Sequence, residues 1–255
     1  MDEVQYREYL KRIGYEKEVA QTPECLDQLI LAHLATIPFE NLEACDEHQI
    51  PSLEVDDIYQ KAVVRKCGGW CFELNKLFME LLKYCGFAVT PVAIRITWMK
   101  EQMAPLLHRA TVVVLDGREY LCDVGYGGPG PKGLIELADG EYQVQGEWYR
   151  IQRDTCDRTD VIIEKQYHGE YHEMMRFQNQ KAEEADYGIM NFFCAKSEAS
   201  FFSGKPVINL YKDGINYSLI DRKLTIQKDG ESTVKECHSE EEKKKWLKEY
   251  FGIEK

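Results

Sequence analysis

Arg65-Lys66-Cys67-Gly68-Gly69-Trp70-Cys71-Phe72-Glu73-Leu74-Asn75 sets a glycine pair and a cysteine at the head of an apolar-periodic run through Leu77, Phe78, Leu81 and Leu82 to Gly86. That spacing predicts a helix that starts at Cys71. A thiol at a helix start meets unpaired backbone N–H groups and the positive end of the dipole, and both favour thiolate. Cys71 is therefore a candidate nucleophile. The plainer reading, a small buried hydrophobe, is the commoner one for a lone cysteine.

A nucleophilic thiol needs a base, and the base needs an acceptor on its other ring nitrogen. His108 and Asp123 suit these roles. Alternation predicts strands at 89–98, 111–115 and 118–123, with Asp116-Gly117 as a two-residue hairpin turn joining the last two. The hairpin brings the strand ends together, so His108 and Asp123 are expected side by side. Asp123 also opens Val124-Gly125-Tyr126-Gly127-Gly128-Pro129-Gly130, a run whose amides could cradle a phosphate, although such glycines more often only make a turn.

Outward from this centre, the first third is helical. Helices are expected over 2–13, from the Thr22-Pro23-Glu24 start to Pro38, and over 55–64. His33 lies on the apolar side of the second and is expected to be a core residue. The middle third is β-rich, with further strands at 142–151 and 160–167, and suggests a barrel or strongly curved sheet. The last third mixes a helical or irregular stretch at 181–197, strands around Asp213-Gly214 and Asp229-Gly230, and a helix from a Ser239/Glu242 capping box to Gly252. The fold class is α+β, with no internal repeat and no flexible linker.

Composition narrows the partners. Asp and Glu outnumber Lys and Arg by 44 to 32, a net charge of −12 that disfavours nucleic acid. No apolar run approaches the roughly 20 residues of a membrane span, and the acidic start does not read as a signal peptide. Nine cysteines without C-x-x-C spacing suggest neither a disulfide framework nor a zinc site, and a cytoplasmic location is expected. His168 and His172 have a helical ligand spacing in a stretch that is not helical, so no metal is expected.

His33 with Ile37-Pro38-Phe39-Glu40-Asn41-Leu42, the Gly68–Asn75 block, His108 and Asp123-Val124-Gly125-Tyr126-Gly127 occur in the order found in one known family, together with Tyr9–Gly14, Asn191, Ser200 and Phe202. The chain resembles the arylamine N-acetyltransferases. The resemblance implies an N-terminal helical bundle carrying the nucleophile (1–86), a central β-barrel carrying the histidine and aspartate (87–183), and an interdomain segment with an α/β lid (184–255). This architecture is distantly related to papain-like proteases and transglutaminases. It implies acetyl-CoA as donor, an aromatic amine or hydrazine as acceptor, and ping-pong transfer through acetylated Cys71, with His108 as its ion-pair partner and proton shuttle and Asp123 orienting His108. Tyr126, with Phe39 and Trp70, would line the acceptor pocket, and Gly125, Gly127 and Gly128 would lie along the CoA, with Lys205 and Lys100 as further candidates. The alternatives are a hydrolase using the same triad on peptide or amide bonds and a non-catalytic CoA-binding homologue.

One position departs from the family. Arginine normally precedes the glycine pair and pairs with the glutamate of the Pro-Phe-Glu-Asn segment, but this chain has Cys67. Arg65 or Lys66 is expected to substitute as the partner of Glu40, or Glu40 to be more hydrated. A Cys67–Cys71 disulfide is a further alternative that helix-start geometry opposes.

Overall fold

The structure is a computed structural model that describes residues 1–154, 160–202 and 204–254. Helix α1 (Glu3–Arg12) begins with Asp2 and Gln5 capping each other's backbone N–H groups. Helix α2 (Pro23–Leu34) is capped by the Thr22 hydroxyl, as its sequence predicts. Strand β1 (Phe39–Glu40) and the single-turn α3 (Leu42–Cys45) follow. Helix α4 (Val55–Tyr59) runs into a π-helical turn at Gln60–Val64.

Helix α5 (Cys71–Tyr84) is the centre of the first core. Phe72, Leu74, Leu77, Phe78, Leu81 and Leu82 are all fully buried, among side chains from α1, α2 and α4. Each such burial contributes roughly 1.5–3 kcal/mol, so the position of this helix is strongly determined. The polar residues on its first turns, Glu73 and Asn75, are buried as well and need partners.

The middle of the chain forms β2 (Ala88–Ile96), β3 (Leu106–Leu115), β4 (Arg118–Cys122), β5 (Ile135–Glu136), β6 (Gly140–Val144), β7 (Glu147–Arg153), β8 (Asp160–Tyr167) and β9 (Glu170–Gln178). They make one antiparallel sheet in the order β5-β4-β3-β2-β9-β8-β7-β6, a near-closed barrel around Val92, Ile94, Val112, Tyr149, Ile151, Ile163 and Phe177. Asp116 and Gly117 take φ of 47° and 77°, the left-handed pair a tight hairpin requires.

Two features differ from the sequence expectation. Strand β3 begins at Leu106 rather than 111, because residues 106–110 pair with β2, and His108 therefore lies inside the strand. Strand β9 was not expected; it joins β2 to β8 and carries His172 three residues beyond the His168-Gly169 turn. The pairing of β2 with β3 shifts register there, with Ile94 opposite His108 and Arg95 opposite Leu106, a bulge that re-aims the chain beside His108.

Helix α6 (Glu184–Lys196) crosses from the barrel to the last sheet, which contains β10 (Val207–Lys212), β11 (Ile215–Ile220), β12 (Lys223–Lys228) and β13 (Glu231–Glu236). Helix α7 (Glu240–Phe251) starts at the Ser239 cap, ends at Gly252 with φ of 68°, and packs Trp246, Leu247 and Phe251 on this sheet. The sheet also takes in β1: Phe39 pairs with Asn209 and Glu40 with Ile208. Phe39 bridges Gly69 as well, so β1 ties the segment before Cys71 to the last third of the chain. Among the described residues no helix is long and apolar enough to cross a membrane.

Candidate active site

Cys71 is the first residue of α5, after extended Trp70, whose N–H donates to Glu73 Oε2 at 3.1 Å. Its side chain meets the bulged start of β3: Sγ lies 4.0 Å from Leu107 O, and the backbone N–H groups of Arg109 and Phe72 face the sulfur. The thiol thus sits against the two residues that flank His108. Burial pushes the Cys71 thiol well above its ordinary value, and the two N–H groups recover only part of this. Burial thus opposes the pull of the helix start toward thiolate, and the charge needs a partner. At 4% exposure, desolvation outweighs the helix end.

His108 and Asp123 are brought together as the hairpin predicts. Thr111 pairs with Cys122, and the imidazole Nε2 lies 2.6 Å from Asp123 Oδ2 with both side chains buried. This leaves Nδ1 as the ring nitrogen for the thiol. The other carboxylate oxygen accepts from Asn75 Nδ2 and the Gly125 N–H, each at 2.9 Å. Burial acts to raise the Asp123 carboxyl, but His108, Asn75 and Gly125 together hold it below its ordinary range. Asp123 is the anion of the site.

Asn75, one turn beyond Cys71, is the residue that assembles these parts. Besides Asp123 it donates to Arg109 O at 2.5 Å, and its Oδ1 accepts from the Val124 N–H at 2.9 Å. It joins α5, β3 and the loop after β4. A polar residue on a helix face otherwise filled by Leu74, Phe78 and Leu82 is the signal that could have identified it. Arg109 was also missed, though an arginine within an apolar strand run is itself a signal. It is fully buried, forks onto Glu184 of α6 at 2.7 and 3.1 Å, and lies 4.3 Å from the centre of the Tyr187 ring.

The glycine loop packs closely on the site. A Cβ on Gly125 would lie 2.8 Å from Cys71 Cα, and one on Gly127, with φ of 71°, 2.9 Å from the Phe39 ring. The Gly125 N–H is occupied by Asp123; Gly127 and Gly128 form the turn beyond it. Tyr126 sets its ring edge-on to His108 with centroids 5.6 Å apart, and its buried hydroxyl has no hydrogen-bond partner among the described residues. Phe39 and Phe202 pack at 5.8 Å, and Phe202 meets Trp70 at 6.0 Å. Trp70 is 1% exposed, so it backs this aromatic wall. Lys205 stands over the neighbouring, exposed Phe201 ring at 4.2 Å.

The residue that compensates Glu40 is not the expected one. Arg65 and Lys66 are exposed, whereas Lys61, from the π-helical turn, reaches Glu43 at 2.7 Å, Glu73 at 2.9 Å and Glu40 at 3.8 Å. The wider π turn was not legible in the sequence. Glu40 is buried, so the hydration alternative fails too. Among the described residues no disulfide joins Cys67 to Cys71. His33 is a core residue: the Tyr9 hydroxyl meets its Nδ1 at 2.7 Å, and burial pulls the imidazole down to about 3, which keeps it neutral.

A family model described as N-acetyltransferase matches residues 22–254. The arylamine N-acetyltransferase of Mycolicibacterium smegmatis is 29% identical over 228 residues, covering 87% of this chain and 82% of that protein. The solved arylamine N-acetyltransferase from Salmonella typhimurium superposes with a TM-score of 0.93 at 25% identity, over 99% of this chain and 92% of that one. The Mycobacterium marinum enzyme, solved in complex with CoA, gives a TM-score of 0.90 at 26% identity over 97% and 92%. With the family model spanning nearly the whole chain, this protein belongs to the arylamine N-acetyltransferase family.

Proposed function

We propose that the protein transfers acetyl groups from acetyl-CoA to aromatic amines or hydrazines through an acetyl-Cys71 intermediate. The observation that carries this reading is the buried His108–Asp123 pair, 2.6 Å apart, beside a thiol at the head of α5. Because burial opposes a lone thiolate, the Cys71 proton moves to His108 Nδ1 and stays in the site. Asp123 holds Nε2–H and offsets the imidazolium charge.

The sulfur attacks the thioester carbonyl, a new C–S bond forms, and the oxyanion develops at the Cys71 N–H on the helix start. CoA sulfur departs with the proton from His108. In the second half, the amine nitrogen attacks the acetyl-cysteine while His108 takes its proton, and the restored Cys71 sulfur leaves and is reprotonated. Weakly basic arylamines suit this route because they are unprotonated at neutral pH. In this division of labour residues 1–86 supply the nucleophile, 87–183 the histidine and aspartate, and 184–255 the covering α/β segment.

The likeness to a relative solved with CoA supports CoA as the carrier, with the Gly127 and Gly128 turn and Lys205 as its nearest candidates here. Tyr126 and Phe39 form the acceptor wall, backed by Trp70. The test is intact mass after acetyl-CoA alone, beside Cys71→Ala. Gain of one acetyl group by the native chain only, lost when an arylamine is added, is expected. No adduct on an alkylatable Cys71 would refute the reading and direct attention to amide hydrolysis.

A further inference from the structure

Two buried lysines stand behind the glycine loop and take no part in the chemistry above. Lys132, 8% exposed, donates to Gly128 O at 2.6 Å. Lys165 on β8, 7% exposed, donates to the next carbonyl, Pro129 O, at 3.0 Å. Lys165 also has a carboxylate, Glu147, at 2.6 Å. Lys132 has no ion-pair partner among the described residues; beyond the carbonyl it meets only the face of Tyr211, 5.4 Å from its ring centre.

A buried ammonium without a carboxylate is costly, and a methionine of similar length would fill the same space without that cost. Burial accordingly lowers the Lys132 ammonium to about 8, Lys165 adds to the fall, and Glu147 and Asp123 oppose it. Stability therefore does not account for a lysine here. Its geometry does. The Gly130 N–H closes a turn on Gly127 O at 3.2 Å, and Gly127 and Gly128 take φ of 71° and 48°. Tyr126 packs on Gly130 so closely that a Cβ there would lie 2.4 Å from it, and the Tyr126 ring in turn abuts His108.

We propose that Lys132 and Lys165 are positioning residues, whose ammonium groups clamp adjacent carbonyls of the 127–130 turn and so hold Tyr126 against His108 as a wall of the acceptor site. The proposal rests on the acceptor role given to Tyr126 above. Lys132→Met separates it from a merely structural role. The variant should melt at or above the temperature of the parent and acetylate Cys71 at saturating acetyl-CoA within about threefold of the parental rate. Its kcat/KM for an arylamine should fall about tenfold, mainly through KM, the scale of one lost hydrogen bond to a charged group.

Unchanged acceptor kinetics would overturn the clamp. So would a lower melting temperature with both half-reactions reduced by the same factor. Should Lys132→Met fail to fold, Lys165→Gln, on the second carbonyl, is expected to give the same KM-weighted loss, and its absence would be equally decisive. Failure of the parent enzyme to form acetyl-Cys71 would instead refute the catalytic reading, a separate and distinguishable result.

Discussion

Glu73 lies on the first turn of α5, 2% exposed, and accepts from Lys61 at 2.9 Å and from the Trp70 N–H at 3.1 Å. Burial raises its carboxyl from 4.5 to about 7, with Glu40 adding to the rise and Lys61 opposing it. Since the folded value lies above the unfolded one, the stability Glu73 contributes is fully present below pH 4.5 and is lost as pH rises through 7. That gap corresponds to about 3 kcal/mol. Glu73→Gln keeps an acceptor for Trp70 and removes the charge that burial penalises, while Lys61 retains Glu40 and Glu43. At pH 4, below the unfolded value, the variant should melt with the parent. At pH 8 it should melt roughly 6–12 °C higher, at about 2–4 °C per kcal/mol for a chain of this size. Scanning calorimetry of both proteins at the two pH values, under reducing conditions, measures this. A lower melting temperature for Glu73→Gln at pH 8 would refute the reasoning, since the Lys61 pair would then outweigh the cost of burying the carboxylate.

Two further outcomes follow from the same contacts. Asn75→Ala removes the bonds to Arg109 O, Asp123 and the Val124 N–H, and should slow Cys71 acetylation by about 10–100-fold, as loss of an orienting partner does, in a rapid-mixing assay; an unchanged rate would show that the hairpin alone positions His108 and Asp123. Cys67→Arg should move the melting temperature by no more than a few degrees, because Lys61 already faces Glu40, Glu43 and Glu73. A large gain would show that Lys61 leaves Glu40 uncompensated.

The parts of the site that were legible in the sequence are those determined by local periodicity. The helix after Gly69-Trp70 and the Asp116-Gly117 turn follow from patterns over a few residues, and with them the placement of Cys71 near the paired His108 and Asp123. What stayed hidden depends on contacts between distant elements. The bulge at β2 and β3 shows only in the register of two strands, and β9 alternates too imperfectly to stand out. The substitution of Lys61 for an arginine depends on a π-helical turn that aims a residue from before the glycine pair back under the catalytic helix. Glycines were read as candidate phosphate ligands, whereas Gly125 and Gly127 are first of all places where a side chain would strike Cys71 or Phe39.

The thiol illustrates why local signals set the place of a group more reliably than its protonation. A helix start favours an anion by about 0.3–1 kcal/mol, up to about 2 when partly buried, whereas removing a charge from water costs several kcal/mol. At Cys71 the second effect wins, and its thiol is raised. A thiolate without a partner would leave its charge uncompensated at this burial. Keeping the proton between Cys71 and His108, with Asp123 held ionised by His108, Asn75 and the Gly125 N–H, creates no net charge when the sulfur attacks. Under the proposed mechanism the histidine–aspartate pair is thus what would allow a buried thiol to become a nucleophile, and the helix start would contribute chiefly by presenting the sulfur and the Cys71 N–H to the same carbonyl.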